Sequence, residues 1–392
     1  MNVDYSNKLK RIPSYLFAEI DRAIEKKKKE GKDIINLSVG DPDLPAPKRV
    51  VDALCKAARD PRNHRYPSYA GMLEFRKAVA KWYKLRFNVS LNAEKEVIAL
   101  IGSKDGITHI HLAFLNPGDK VLVPDPGYPA YKSAVILADG TPVEMPLLKE
   151  NDFKPDLSSI DRKIAKETKM LFINYPNAPT TAVADKEFFK EVVDFALDNE
   201  IMVCHDNPYS EITFDNYKAP SFLEVRNAKD VGIEFHSLSK SFNMTGFRIG
   251  MAVGNEAVIS GLGKVKENVD SGVFQPIQIA AIEALENCLG EIKKNVKIFE
   301  ERRDVMVDSL NDFGWEVDKP KATFYLWAEI PKGFNSSIKF CSKVLEETGV
   351  VLTPGVGLGK FGEGYVRFAL TQSKEKLKEA AERLGKFIKK LK

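Results

Sequence analysis

The stretch SLSKS sets one lysine, Lys240, among serines directly after the apolar run GIEFH, and an arginine, Arg248, follows eight residues on. An amine delivered to the end of a buried strand can bond to a carbonyl carbon, which sets it apart from the many lysines that merely solvate a surface. Other loops carry partners for it. HDNPYSE holds a carboxylate, Asp206, and a phenol, Tyr209; DPGYPAY offers the aromatic face of Tyr128; GSKDG contains Ser103, and Ser237 stands three positions before the lysine. Together these groups meet the needs of pyridoxal phosphate. Lys240 would bond to the aldehyde, Asp206 would stabilise the protonated ring nitrogen, Tyr209 would hydrogen-bond the ring oxygen and Tyr128 would stack on the ring. GSKDG opens a helix after VIALI and so turns backbone N–H groups toward a phosphate. Ser237 and Arg248 add charge-assisted bonds. Taken singly, Asp206 could cap a helix, Tyr128 could be ordinary packing and Arg248 a surface ion pair; the set in this order carries the reading.

Such groups need a frame that brings distant loops together. From about residue 95 to 255, VIALIG, KVLVPDP, KMLFINYP and IMVCHD read as strands, with ITHIHLAFL, YKSAVILA and EFFKEVVDFAL as helices between them. Strands alternating with helices predict an α/β fold, a mostly parallel central sheet with helices on both faces. Ligands of such sheets sit beyond the carboxyl ends of the strands, where the loops GSKDG, DPGYPAY, NYPNAPTT, HDNPYSE and SLSKS would converge. Before this block, YLFAEIDRAIEKKKKE has helical spacing and stops at Gly31, and INLSVGDPDLPAP reads as a strand breaking into a proline-rich loop. Beyond about residue 288 the texture changes to a long charged helix, then FYLWAEI, VVLTPG and YVRFAL as strands. The expected organisation is an arm over 1–45 that shares in a smaller α+β domain, a large cofactor domain over 46–287, and the rest of the small domain over 288–392.

Composition narrows the function classes. A length of 392 residues exceeds one small domain, and a net charge of +4 implies no nucleic acid partner, the KKKK run at 26–29 fitting a solvated helix face. Cys55, Cys204, Cys288 and Cys341 lie far apart without a CxxC, so neither a zinc site nor a disulfide scaffold is expected, and a reducing cytoplasm is the simplest location. The N-terminus lacks an apolar leader and no run of about 18 uncharged apolar residues occurs, so no membrane association is expected. His109 and His111 fall in an apolar helix and read as structural; His205 and His236 stand beside the site loops and read as supporting groups.

Over essentially its whole length the chain resembles the class I/II aminotransferases of fold type I, which depend on pyridoxal phosphate. SLSKSFNMTGFRIG is similar to that family's lysine motif, and HDNPY carries its aspartate and tyrosine at matching spacing. The resemblance implies Lys240 as the cofactor lysine and general acid/base, Asp206 on the ring nitrogen, Tyr209 on the ring oxygen, and Ser237 and Arg248 on the phosphate. It further implies that Arg367, in YVRFAL, binds the substrate carboxylate as a planar fork, that Gly40, in SVGDPD, lets backbone approach that carboxylate, and that Tyr66, in HRYPSYAG, reaches the phosphate of a neighbouring subunit in a homodimer with shared active sites. The runs RIPSYLFAEID, GDPDLPAP, RYPSYAGMLEFR, LIGSKDGITHI and SGVFQPIQIAA resemble the LL-diaminopimelate aminotransferase branch. That branch exchanges an amino group between glutamate and tetrahydrodipicolinate in lysine biosynthesis. It would set Tyr15 and Lys104 near the substrate's distal end, with Lys104 beside the cofactor as well. Composition and spacing leave aspartate, alanine or aromatic substrates open.

Two positions depart from the family pattern. NYPNAPTT has Ala178 where the family places an asparagine whose amide bonds the ring oxygen and the substrate carboxylate, and Thr181 where it has glycine. A lost hydrogen bond to a charged group costs about 1.5 to 3 kcal/mol. Asn177, one position earlier, is the expected substitute provided the loop shifts. The departure also keeps open a lyase or oxidase reaction on the same cofactor.

Overall fold

The computed structural model describes residues 3–12 and 16–391. After a first short strand, β1 (Ile35–Asn36), the large sheet is built from β2 (Val97–Leu100), β3 (Lys120–Asp125), β4 (Thr141–Pro146), β5 (Thr168–Ile173), β6 (Met202–Asp206), β7 (Gly232–Ser237) and β8 (Gly250–Gly254). Its spatial order is β2-β8-β7-β6-β5-β3-β4. β8 runs antiparallel to both its neighbours, and the remaining pairs are parallel. Every residue of β7 is buried, as the near-continuous apolar runs of a sheet covered on both faces require.

Alternation along each strand divides the apolar residues between two layers. Val203 and Leu171 pack on one face with Phe75, Phe189 and Ala281 of the helices Leu73–Phe87, Lys186–Asn199 and Gln275–Asn287. Cys204 and Phe172 pack on the other with Ile107, Ile110 and Leu262 of the helices Ser103–Phe114 and Glu256–Val269. Local signals set the helix ends: the Asp185 carboxylate accepts from the Phe188 N–H at 2.9 Å, and Asn88, at φ 56°, stops the helix Leu73–Phe87. The expected helix before Gly31 is Leu16–Lys29, with Gly31 at φ 79° just beyond it.

A second layer is built from β9 (Tyr325–Glu329), β10 (Val350–Val351), β11 (Thr353–Pro354) and β12 (Tyr365–Ala369). VVLTPG, expected as one strand, is two. β10 pairs in parallel with β1, and β11 joins the antiparallel sheet β11-β12-β9. The long helix Leu289–Asp312 spans both regions, with Ile292 in the first core and Phe299, Met306 and Leu310 in a second core that holds Leu37, Phe324, Phe340 and Phe368. TPVEMP, which carries two prolines, gave no expectation of a strand, yet it forms β4. The structure puts it at the sheet edge, where a missing N–H is tolerated. No helix among the described residues is long and apolar enough to cross a membrane.

Candidate active site

β2 is antiparallel to β8, which is antiparallel to β7, so β2 ends on the same edge as the parallel strands. The segments leaving β2, β3, β5, β6 and β7 line one cavity of about 470 Å³ there, together with Gly40, Tyr325 and Arg367 from the second layer. Lys240 lies in the short helix Leu238–Ser241 directly after β7, whose start is capped by Ser237 accepting from the Ser239 N–H at 3.1 Å. Its amine donates to the Gly40 carbonyl at 2.8 Å. Burial holds the Lys240 ammonium below its ordinary pKa, Arg367 and Arg248 push the same way, and Tyr325 and Asp41 oppose.

Asp206 ends β6. Its Oδ2 accepts from the Tyr131 hydroxyl at 2.7 Å, while its buried Oδ1 has no hydrogen-bond partner among the described residues. Burial pushes the Asp206 carboxyl up to about 6, against the opposing effects of Tyr131 and His205. Asn174, after β5, donates to the Asp206 backbone carbonyl at 2.7 Å and so fixes the strand end. The Tyr209 phenol is 3.2 Å from that of Tyr325, and burial with its tyrosine neighbour drives it well above the usual range.

The helix Ser103–Phe114 opens on Gly102 at φ 73°, and a Cβ at Gly102 would lie 2.6 Å from a terminal nitrogen of Arg248. Arg248 donates to the Thr245 carbonyl at 2.9 Å and lines the same cavity, as do Ser103, Lys104 and Tyr128. Arg367, on β12, donates to the Ser38 carbonyl at 2.8 Å with its guanidinium 4.4 Å from the Tyr325 ring centre. Four cations and two carboxylates, Asp41 and Asp206, thus surround the space, which suits a ligand with several anionic groups.

Two expected site residues are elsewhere. Asn177 does not line the cavity: its buried side chain donates to the Asn174 carbonyl at 3.1 Å and accepts from the Thr180 N–H at 2.9 Å and hydroxyl at 2.8 Å, so the loop has not shifted to offer it. The methyl group of Ala178 lines the cavity instead, and Thr181 sits at φ 63°, a conformation costly for a β-branched residue. Tyr66 is 87% exposed and outside the cavity of its own chain. Tyr15 lies outside the described residues.

Sequence reasoning missed Tyr131, Asn174 and Tyr325. DPGYPAY and NYPNAPTT contain the first two, but two tyrosines or asparagines three apart could not be ranked without the fold. It also missed Arg302, which clamps Asp43 at 2.7 and 2.8 Å and so holds the loop that carries Gly40. Away from the cavity, Asp105 and Asp270 converge on the buried Lys266 ammonium, 2.6 and 2.8 Å away, which supplies the cation between these acids, and His109 Nδ1 lies 2.7 Å from Asp105. His111 stacks on Phe172 with ring centres 5.0 Å apart, and burial pushes it down to about 4.

A sequence profile described as "Aminotransferase class I and II" matches residues 32–384. A curated protein from Halothermothrix orenii, "LL-diaminopimelate aminotransferase", is 52% identical over 382 residues, 97% of this chain and 98% of that protein. One of the same name from Aquifex aeolicus is 52% identical over 381 residues, again 97% and 98%. Among solved structures, substrate-bound BacF from Bacillus subtilis superposes with a TM-score of 0.94 at 38% identity, covering 99% of this chain and 98% of that one. A probable N-succinyldiaminopimelate aminotransferase from Thermus thermophilus gives 0.90 at 36% identity, covering 95% and 99%.

Proposed function

The chain belongs to the class I and II aminotransferases, and on that premise we propose that it exchanges an amino group between LL-diaminopimelate and 2-oxoglutarate in lysine biosynthesis, the relatives from Halothermothrix and Aquifex being named for the first of these substrates. Pyridoxal 5'-phosphate, when bound, supplies an aldehyde that takes up the amino group and a ring that accepts electrons. The residues fit it. The unpartnered Oδ1 of Asp206 offers a buried acceptor to a ring N–H, Lys240 offers the amine, Tyr128 an aromatic face, and Ser103, Ser237 and Arg248 donors for a phosphate at a helix start.

The chain's own groups divide the remaining work. Arg367 binds the α-carboxylate, and its contact with Tyr325 holds the fork in place. Lys240, with its ammonium destabilised by burial, takes the proton from the donor's α-carbon and, in the second half of the exchange, delivers a proton to the α-carbon of the acceptor. Lys104, exposed at the cavity, faces the distal carboxylate. We take residues 46–287 as the cofactor unit and 1–45 with 288–392 as the unit carrying Gly40 and Arg367, and the exposed Tyr66 as a contribution to the second subunit of a cytoplasmic homodimer.

The observation that carries this reading is the opening of Lys240, Asp206 and Arg367 into one cavity. Cofactor-loaded protein mixed with LL-diaminopimelate, and separately with glutamate, without any keto acid, should convert the aldehyde absorbance to the amine form and release one equivalent of keto product in each case. Conversion by glutamate alone would retain the aminotransferase and discard diaminopimelate. The methyl of Ala178 in the cavity wall favours a second reading, a lyase or oxidase on the same cofactor. That reading predicts continuous keto product with no amine form accumulating.

A further inference from the structure

β6 presents Asp206 to the cavity and His205 to the opposite layer, where the imidazole packs 5.0 Å from the ring centre of Phe189 and 6.3 Å from that of Phe222. Its Nδ1 is 2.8 Å from Glu234 Oε2 and its Nε2 is 3.0 Å from the Tyr175 backbone carbonyl. A carbonyl oxygen can only accept. Glu234 is already an acceptor three times over, from the Ser221 hydroxyl at 2.9 Å and the Phe222 N–H at 3.0 Å on the same oxygen, and from the Tyr83 hydroxyl at 2.8 Å on the other. A neutral imidazole has one N–H, so it can satisfy one of these two partners and would turn a lone pair on the other.

We propose that both ring nitrogens of His205 donate, Nδ1 to Glu234 and Nε2 to the Tyr175 carbonyl, so that the ring stands behind β6 as the cationic partner of Glu234 and supports the Asp206 carboxylate from behind the strand. The inference rests on the reading of Asp206 as the cofactor's ring partner, and it makes His205 a positioning residue. Burial alone would raise the Glu234 carboxyl, yet its bonds from His205 and Tyr83 keep it below its ordinary value, as an anion facing a cation requires. Aromatic rings exclude water here, so the charge acts with little screening. Glu234 and His236 of β7 and the Tyr175 carbonyl after β5 face His205; from the helix Leu73–Phe87, Tyr83 donates to Glu234 and Arg86 acts on His236, while Asp206 faces Tyr131 and Tyr209. His236, with Nε2 2.9 Å from Ser210 Oγ, is pushed by burial down to about 4 and stays neutral, so it adds no competing cation.

The test is nitrogen-15 NMR of histidine-labelled, cofactor-loaded protein at about pH 8, with His205→Gln to assign the signals. Both His205 nitrogens should carry protons, whereas one unprotonated nitrogen would overturn the proposal even if the variant proves unstable. For the folded His205→Gln protein, the cofactor dissociation constant is followed against pH by tryptophan quenching. Its acid midpoint should move up by about one unit, and an unmoved midpoint would refute the link to Asp206. Asp206→Asn should abolish that acid step. A step that persists there would sink the assignment of Asp206 itself and leave the NMR result to stand or fall alone.

Discussion

Replacing Gly40 by alanine tests whether the substrate-carboxylate end of the cavity is held by packing through Tyr325. A Cβ built at Gly40 lies 1.7 Å from the Tyr325 hydroxyl oxygen and 2.5 and 2.8 Å from its ring carbons, far inside any real contact. The ring is rigid and buried, so either Tyr325 turns away or the Gly40 backbone retreats. The first movement breaks the 3.2 Å contact with Tyr209 and removes the ring from under Arg367; the second withdraws the carbonyl that accepts from Lys240 at 2.8 Å. Overpacking costs about 1 to 3 kcal/mol, a neutral hydrogen bond about 1 kcal/mol and a shielded cation–π contact about 1 to 2 kcal/mol. If about 1.4 to 2.8 kcal/mol of this falls on Arg367, KM for the amino donor rises about ten- to a hundredfold. Thermal unfolding and steady-state kinetics read the two parts separately. In the double variant Gly40→Ala/Tyr325→Ala the clash is gone, so the two losses should be clearly less than additive. An unchanged KM and melting temperature in Gly40→Ala, or strict additivity in the pair, would refute the reasoning.

Thr181→Gly should stabilise the protein by about 0.5 to 1 kcal/mol, because relief of a left-handed β-branched residue at φ 63° exceeds the entropy glycine adds to the unfolded chain; a lower melting temperature would contradict this. Asp206→Asn should stabilise the cofactor-free protein at about pH 8 and not at about pH 4. Burial raises the folded pKa to about 6, so the native state binds more protons than the unfolded chain between its ordinary value and 6, and stability declines as pH rises through that window. The difference is on the order of 1 to 3 kcal/mol, and parallel melting curves for the two proteins across pH would exclude it. Lys240→Ala should lower kcat by at least about a hundredfold while amino-acid affinity, measured by equilibrium titration and carried by Arg367, changes less than about tenfold. Comparable losses of both would mean that Lys240 acts mainly in binding.

Much of the frame was legible because local chemistry repeats at fixed periods. Apolar runs of strand length alternating with amphipathic helices imply a parallel sheet wherever they occur, and such a sheet gathers its loops at one edge. That rule was enough to bring Lys240, Asp206, Tyr209, Tyr128, Ser103 and Arg248 to one cavity from positions more than a hundred residues apart. β4 was invisible, since its prolines suit a strand only at an edge, and edges are defined by the finished sheet. The direction of β8 was equally hidden, because a short apolar run reads the same in both senses.

Residue type and spacing therefore determined the alternating architecture, the strand-end loops and the chemical inventory available there. Only the tertiary structure decided which member of each pair reaches the cavity: Tyr131 as the partner of Asp206, Asn177 turned into its own loop with Ala178 left in the wall, Tyr325 filling the space over Gly40. The physical reason is that a side chain's direction within a loop depends on hydrogen bonds and packing supplied by segments distant in sequence. His205 shows this most directly, because its two ring nitrogens meet a carboxylate 29 positions away and a carbonyl 30 positions away, neither of which its own neighbours in the chain reveal.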